Sequence, residues 1–322
     1  MRRWLWLAAL GALAALLLSG CGGSAEAVDV APSLLPRNKQ LVEASGRILY
    51  VAGGRIWEWA DGATHALTGP GVRWEGASWS PDGRSMAASE VGENHSDVFV
   101  LDASGNRLRQ LTRHWSHVSV QQSAWGRKPA WSPDGTQIAY GSDLGQSDMS
   151  LWTVGARGGD NRRQWNMPPG SGGLDWPSWS PEKRRIAFTS YPPTGGVHDK
   201  PQVFVLNIET WVLIQLTELK DGAFDPAWSP DGSTIAFAGR WDGRTRIMTV
   251  RADGKGAARL TDGTHDRAPA WSPEGDELAY LSLGGGGFDL WAVRVANGGV
   301  SEPRQLTSGQ DADAVSGVSW AR

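Results

Sequence analysis

The chain has 322 residues, 34 acidic against 31 basic side chains, a formal net charge of −3 and a single cysteine, Cys21. A chain of this length can bury a sizeable core, and one cysteine excludes a framework of internal disulfides. Lys and Arg do not cluster into a basic stripe, so a nucleic-acid partner is not expected.

The first twenty residues have the order of an export signal. Arg2 and Arg3 precede an apolar Leu/Ala run at 5–18, which is too short for a lasting membrane span. The run ends in Leu18-Ser19-Gly20-Cys21, which resembles a bacterial lipobox. The resemblance implies cleavage before Cys21 and lipid attachment to it, the alternative being an ordinary signal peptide with a chance cysteine.

Three segments are therefore expected. Residues 1–20 would form the signal peptide, residues 21–45 a flexible tether rich in Gly, Ala, Ser and Pro, and residues 46–322 the folded domain. The predicted location is the cell envelope, with the protein held to the membrane through lipidated Cys21. It would face the periplasm from the outer membrane, or lie on the cell surface if the cell has a single membrane.

A Trp-Ser-Pro motif recurs along the domain. The motif predicts one structural unit per copy, because spacings of 43 to 52 residues between successive tryptophans suit a repeat architecture. Its tryptophans are expected to pack neighbouring units together. They are Trp79, Trp131, Trp179, Trp228 and Trp271, with a truncated sixth copy at Trp320.

Each unit predicts four short antiparallel strands. In the fifth unit, strands at 226–229, 234–238, 246–250 and 259–261 are separated by turns such as Pro230-Asp231-Gly232. Such a unit is the blade of an all-β propeller. The first unit, residues 47–68, lacks a Trp-Ser strand, and residues 315–320 supply one. The sequence therefore predicts a six-bladed β-propeller whose C-terminal strand completes the first blade and leaves no open edge.

The repeat resembles that of TolB-like proteins, which is related to the WD-type repeat. The likeness rests on Ala-Trp-Ser-Pro-Asp-Gly, Ile-Ala-Phe/Tyr, Leu-Trp-Val and Arg-Gln-Leu-Thr segments and covers about residues 45–322. TolB itself carries an α/β domain before its propeller, for which residues 22–45 are too few. A part in a Tol–Pal-like system stays open, because this repeat serves many unrelated roles.

Insertions point to one face of the ring as the binding face. The links between blades and the loops between second and third strands vary most in length, above all at 113–126 and 190–202. Histidines, tryptophans and carboxylates concentrate there. The candidate binding residues are Trp74, His114, Trp115, His117, Trp125, Arg127, Asp175, Trp176, His198, Asp225, Trp241, His265 and Asp266.

Each residue class has two interpretations. The loop tryptophans suit sugar rings or extended peptides, or else fill gaps between loops. The carboxylates ring the channel mouth, or else cap turns. Arg127 and Lys128 interrupt any simple acidic ring in the third blade. His114 and His117 lack a helix and a nearby carboxylate, so no metal site is expected there.

Two functions remain open. The favoured one is a non-catalytic binding or scaffolding propeller, expected to be a monomer, that recognises an envelope protein or a glycan. No Gly-x-Ser-x-Gly motif or phosphate-binding loop occurs, so no cofactor is expected. The alternative is a lyase or hydrolase that acts on glycans or peptides in the funnel. Its candidate residues are His114, His117, His198, His265, Asp225 and Asp266.

Overall fold

The computed structural model describes residues 46–166, 173–192, 200–296 and 299–322. Within these ranges the chain forms 25 β-strands and one 3-10 helix, Val120–Gln122. No segment in the described ranges forms a helix with the length and apolar character needed to cross a bilayer. Cys21, the predicted tether and His198 lie outside the described residues.

The strands form six antiparallel sheets, each of which is one blade. In every blade the strand that carries the repeated Trp is at one end of the sheet. Blade 1 contains β1 (Arg47–Ala52), β2 (Arg55–Ala60), β3 (Ala63–Ala66) and the last strand, β25 (Val318–Ala321). Blade 2 contains β4 (Arg73–Trp79), β5 (Ser85–Val91), β6 (Ser96–Asp102) and β7 (Arg107–Gln110). Blade 3 contains β8 (Gly126–Trp131), β9 (Gln137–Ser142), β10 (Ser150–Gly155) and β11 (Arg162–Trp165).

The remaining blades follow the same order. Blade 4 contains β12 (Leu174–Trp179), β13 (Arg185–Ser190), β14 (Gln202–Asn207) and β15 (Leu213–Gln215). Blade 5 contains β16 (Ala223–Trp228), β17 (Thr234–Trp241), β18 (Arg244–Arg251) and β19 (Ala258–Arg259). Blade 6 contains β20 (Asp266–Trp271), β21 (Glu277–Gly284), β22 (Gly287–Ala296), β23 (Gly299–Val300) and β24 (Arg304–Gln305), the last two both pairing with β22.

Closure of the ring occurs as the sequence predicts. β25 pairs antiparallel with β1, with Trp320 opposite Ile48. Ser319 on β25 also reaches the next blade, where its Oγ accepts a hydrogen bond of 2.9 Å from the backbone N–H of Trp79. The pairing satisfies the backbone groups that an open edge would leave exposed.

The Trp-Ser-Pro-Asp-Gly motif forms its hairpin through local hydrogen bonds. Ser80 Oγ donates to Asp82 Oδ1 at 2.6 Å and accepts from the backbone N–H of Ser85 at 3.0 Å. The same pair of bonds recurs at Ser132 and at Ser229. A side chain that satisfies backbone groups at the turn fixes the register of the two strands.

The repeated Leu-Thr motif attaches the fourth strand to the third. The Thr112 hydroxyl accepts a hydrogen bond of 2.9 Å from the backbone N–H of Val98. The third blade has no Leu-Thr, and there Trp165 pairs with Leu151 on the neighbouring strand instead. The hydroxyls that accept in the same way in the other blades are those of Thr68, Thr217, Thr261 and Thr307.

The core lies between blades. One cluster joins Leu49 and Ile56 of blade 1 to Trp79 and Met86 of blade 2. Some indoles also bond across the blade interface, as where Trp179 Nε1 donates to the carbonyl of Ala130 at 3.1 Å. The repeated tryptophans therefore hold blades together, which confirms the packing role expected of them.

Replacement of the closing tryptophan tests this account. Trp320→Ala should lower the free energy of unfolding by about 3–5 kcal/mol, because it leaves a cavity at the seam between the first and last blades. Trp211→Ala is the control, since that indole is 49% exposed and should change stability by less than about 0.5 kcal/mol. Urea unfolding followed by circular dichroism measures both. Equal effects of the two substitutions would contradict closure through Trp320.

Candidate binding face

A left-handed residue recurs three positions before each repeated tryptophan. At five of these positions the pairing with the second strand skips a residue, as between Glu75 and Ser78 in blade 2. A positive φ strains any residue other than glycine, so this conformation is costly in blades 3 to 6, where the residue is Lys, Trp, Asp or Ala. The six residues and their φ angles are Gly76 (63°), Lys128 (53°), Trp176 (61°), Asp225 (58°), Ala268 (54°) and Gly317 (87°).

The Trp176 side chain crosses the central channel. It starts on blade 4 and reaches blade 1, the opposite blade of a six-membered ring. There its Cζ2 lies so close to Gly317 that a Cβ on that glycine would be 2.9 Å away. The indole also packs against a cluster that contains Ala268 and Trp320. Small residues on blades 6 and 1 thus make room for a large one from blade 4, and the indole lies across the channel at this level.

Lys128 completes this plug. Its Nζ lies 3.8 Å from the centre of the Trp176 ring, and it forms no hydrogen bond in the described part of the chain. Burial lowers the pKa of Lys128 from 10.5 to about 8, although the charges of Asp175 and Asp225 oppose that shift. A buried ammonium held by an aromatic face alone is an unfavourable arrangement.

Charged groups around the plug pair with one another. Asp225 is buried and accepts two bonds from the Arg267 guanidinium, at 2.9 and 3.0 Å. In the neighbouring arc, Arg127 pairs with Glu75 at 3.1 Å. The carboxylates of Asp225 and Glu75 are therefore paired with arginines of neighbouring blades.

The other carboxylates hold local structure. Asp175 accepts a bond of 2.9 Å from the backbone N–H of Trp176. Asp266 accepts from Ser282 at 2.6 Å and also from Thr261. Burial raises the pKa of Asp266, and these hydrogen bonds partly offset the rise. Both carboxylates are therefore engaged in local hydrogen bonds within the fold.

The histidines of the predicted site do not converge. His114 is 3% exposed, and its Nδ1 lies 2.8 Å from the carbonyl oxygen of Ser96 between blades 2 and 3. The expectation that it lacks a nearby carboxylate is wrong, because Asp97 Oδ1 is 3.6 Å from the same nitrogen. His117 lies beside Trp115, and His265 is exposed on the link between blades 5 and 6. In the ranges that the structure describes, no group of three or more His, Cys, Asp or Glu side chains is placed to hold a metal ion.

The loop tryptophans differ in exposure. The expectation that Trp74 lies on the binding face is wrong, because this indole is 3% exposed and packs in the core between blades 1 and 2. Trp125 and Trp241 are half-buried. Trp115 is 56% exposed, so it is the member of this set with the largest surface free for a partner.

Trp115 belongs to the long link between blades 2 and 3. The backbone N–H of Ala124 donates to the carbonyl of His114 at 3.0 Å, which closes the base of the loop. Higher up, the backbone N–H of Ser116 donates to Ser123 Oγ at 3.1 Å. These bonds hold an ordered loop, yet Val118 is 80% and Val120 59% exposed. The loop therefore presents apolar side chains to solvent on a fixed scaffold.

The sequence predicted that Lys128 interrupts an acidic ring, but it did not predict the contact of this lysine with Trp176 in the plug. The available signal was its position, three residues before Trp131, where the other blades carry Gly, Trp, Asp or Ala. The register of the six inner strands shows that these positions share one level of the channel.

The fold defines the protein as a six-bladed propeller. Residues 174–318 match a family model described as the TolB β-propeller domain. TolB from Acinetobacter baumannii has the same fold, with a TM-score of 0.68, 17% identity and coverage of 86% of this chain and 66% of that one. The resemblance to TolB-like propellers is thereby confirmed.

Two curated relatives match part of their length. An uncharacterised protein of Agrobacterium fabrum, Atu1656, is 25% identical over 193 residues, which are 60% of this chain and 59% of that protein. The uncharacterised peptidase YuxL of Bacillus subtilis is 26% identical over 189 residues, or 57% of this chain and 24% of that protein. The chain thus spans less than two thirds of either relative.

Replacement of the plug lysine tests the electrostatic account. Lys128→Met keeps an unbranched side chain of similar shape and the backbone strain but removes the amine. Because burial lowers the pKa of Lys128 from 10.5 to about 8, between these values the unfolded chain binds a proton that the folded chain has lost. Wild-type stability should therefore rise, relative to the variant, as the pH increases from 8 to 10.5.

Below pH 8 the variant should be the more stable protein, by an amount on the order of 3 kcal/mol. Chemical unfolding at pH 7 and pH 10 measures the difference. Lys255→Met is the control, since Lys255 is exposed on a turn. Parallel pH dependence of the wild type and Lys128→Met would contradict a buried, unpaired ammonium.

Proposed function

We propose that the protein is a lipid-anchored, non-catalytic propeller of the cell envelope that binds a protein or glycan partner through its loop face. The observation that carries the proposal is the ordered link at 113–125. It exposes Trp115, Val118 and Val120, which are 56%, 80% and 59% accessible. Exposed apolar side chains on a rigid loop are typical of recognition surfaces, because their burial by a partner is favourable.

The arrangement of the channel mouth supports a binding function over a catalytic one. A funnel enzyme needs a histidine and a carboxylate within hydrogen-bond reach of a substrate in an open funnel. Trp176 and Lys128 occupy that space, and Asp225 is engaged by Arg267. The described candidates for the alternative function lie in three places: His114 and His117 on the link between blades 2 and 3, His265 and Asp266 at the start of blade 6, and Asp225 on blade 5.

The envelope location rests on the N-terminal sequence and on the likeness to TolB. A basic start, an apolar run and Leu18-Ser19-Gly20-Cys21 support export and lipid attachment. The name of YuxL, which contains the word peptidase, supports the enzymatic alternative, but most of the length of that protein lies outside the matched region. His114 Nδ1 lies 3.6 Å from Asp97 Oδ1, a contact of the kind that the alternative needs, but both residues are buried.

Cross-linking in cells tests the loop face. A photoreactive side chain replaces Val118, which is 80% exposed, and in a second strain it replaces Val212, which is 52% exposed on the turn between β14 and β15 at the other face. Light should produce an adduct with a defined envelope component from position 118 alone. The same adduct from both positions, or no adduct from position 118, would show that the loop face is not the binding surface.

Metabolic labelling tests the anchor. Cells that express the protein are fed an alkyne-bearing fatty acid, and the wild-type protein should carry the label and sediment with membranes. Cys21→Ser removes the only thiol, so label and sedimentation should both be lost. An unlabelled wild-type protein would favour an ordinary signal peptide, and label or sedimentation retained by the variant would show another form of attachment.

A further inference from the structure

A cavity of about 470 Å³ lies at the outer edge of blade 2, next to the 113–125 link. Trp115 and His117 of the link form one side of it, and Glu90, Asp97 and Arg107 on the strands of blade 2 form the other. Its volume is within the range of small-molecule sites, about 300–1,000 Å³. The cavity is separate from the channel and its plug.

The link contributes an aromatic wall. The Trp115 ring is 3.9 Å from the ring of His117 and 6.4 Å from that of His95, measured between centroids. These contacts support the indole from two sides while 56% of the residue remains exposed. A flat, fixed apolar surface of this kind complements the C–H face of a sugar ring.

The opposite wall is polar and already ordered. Arg107 forms an ion pair with Glu90 and also lies 5.2 Å from the Phe99 ring. Asp97 accepts hydrogen bonds from Gln110 at 3.1 Å and from Thr112 at 3.0 Å. Planar charged and amide groups held in this way offer donors and acceptors to hydroxyl groups without further ordering.

One cationic side chain that lines the cavity, Arg113, has no ion-pair partner among the described residues. Arg113 is exposed, whereas Arg107 is paired with Glu90. The carboxylates Glu90 and Asp97 are each engaged within the blade. The guanidinium of Arg113 is therefore free to form a bidentate pair with a carboxylate of a ligand.

We infer that this cavity binds an acidic glycan, with a sugar ring against Trp115 and a uronate carboxylate on Arg113. The inference rests on the proposed function and names the chemical class of the partner. An apolar side chain of a protein partner would fit Trp115 but would desolvate the Glu90–Arg107 pair without replacing its contacts with water. Sugar hydroxyls replace those contacts.

Titration calorimetry on the purified full chain in detergent tests the inference. The probes are a hyaluronan tetrasaccharide, which carries uronates, and chitotetraose, which is neutral and of equal length. The acidic probe should bind more tightly. Trp115→Ala should weaken its binding by at least about tenfold, and Arg113→Gln should weaken it by about tenfold while binding of the neutral probe is unchanged.

Matched controls lie on the other face. Trp211→Ala and Arg157→Gln remove an exposed indole and an exposed guanidinium there and should leave binding unchanged. Failure of both probes to bind at millimolar concentration, or equal losses in Trp115→Ala and Trp211→Ala, would overturn the inference. An envelope protein cross-linked at position 118 without any glycan binding would overturn the inference alone, whereas the absence of both would remove the proposed function as well.

Discussion

The pairing of the last strand with the first is the constraint on which the remaining structure depends. β25 completes blade 1, and six inner strands then face a common axis. In an open array a blade would contact its neighbours only. Closure instead lets a side chain on blade 4 meet a glycine on blade 1, which is how Trp176 comes to lie against Gly317. The plug of the channel is therefore a consequence of closure, and so is the burial of Lys128.

The same constraint explains the electrostatics of the channel mouth. Residues at equivalent positions of six blades are brought to one level, where unpaired charges would repel or remain unsolvated. Two ion pairs, Asp225–Arg267 and Glu75–Arg127, join neighbouring blades. Lys128 is the exception, since its ammonium rests on an indole with no hydrogen bond among the described residues. The two ion pairs near the axis thus hold neighbouring blades together. The side chains that remain free for a partner lie further from the axis.

The sequence predicted what depends on local contacts. Six blades could be counted because each hairpin is formed by bonds within six residues, as between Ser80 and Ser85. Six-blade closure also followed from counting strands. Burial that depends on packing against another blade could not be predicted. Trp74 was expected on a loop because it precedes the repeated Trp79 strand in the sequence. It is in fact the second residue of β4, and its burial comes from packing against Leu49 and Val51 of blade 1.

The candidate site shows the same division. The insertion at 113–126 was visible as extra length, and its apolar exposure follows from local structure. The cavity beside it depends on Glu90, Asp97 and Arg107, which are distributed over three strands. Their sequence pattern is that of ordinary polar strand ends. Their meeting at one wall is set by the pairing of Glu90 with Asp97 across β5 and β6, which no single segment reveals.

A ring whose stability comes from its repeated residues is free to vary in its links. The Trp, Ser and Thr side chains that join and close the blades lie in the strands and short turns, and none of them comes from the 113–125 link. That link can therefore carry exposed apolar groups without weakening the closure. Because it is attached to blades 2 and 3 alone, it makes the loop face asymmetric. In the function proposed above, one insertion and its adjoining cavity recognise the partner, and the six-bladed ring is the rigid support that keeps them in place.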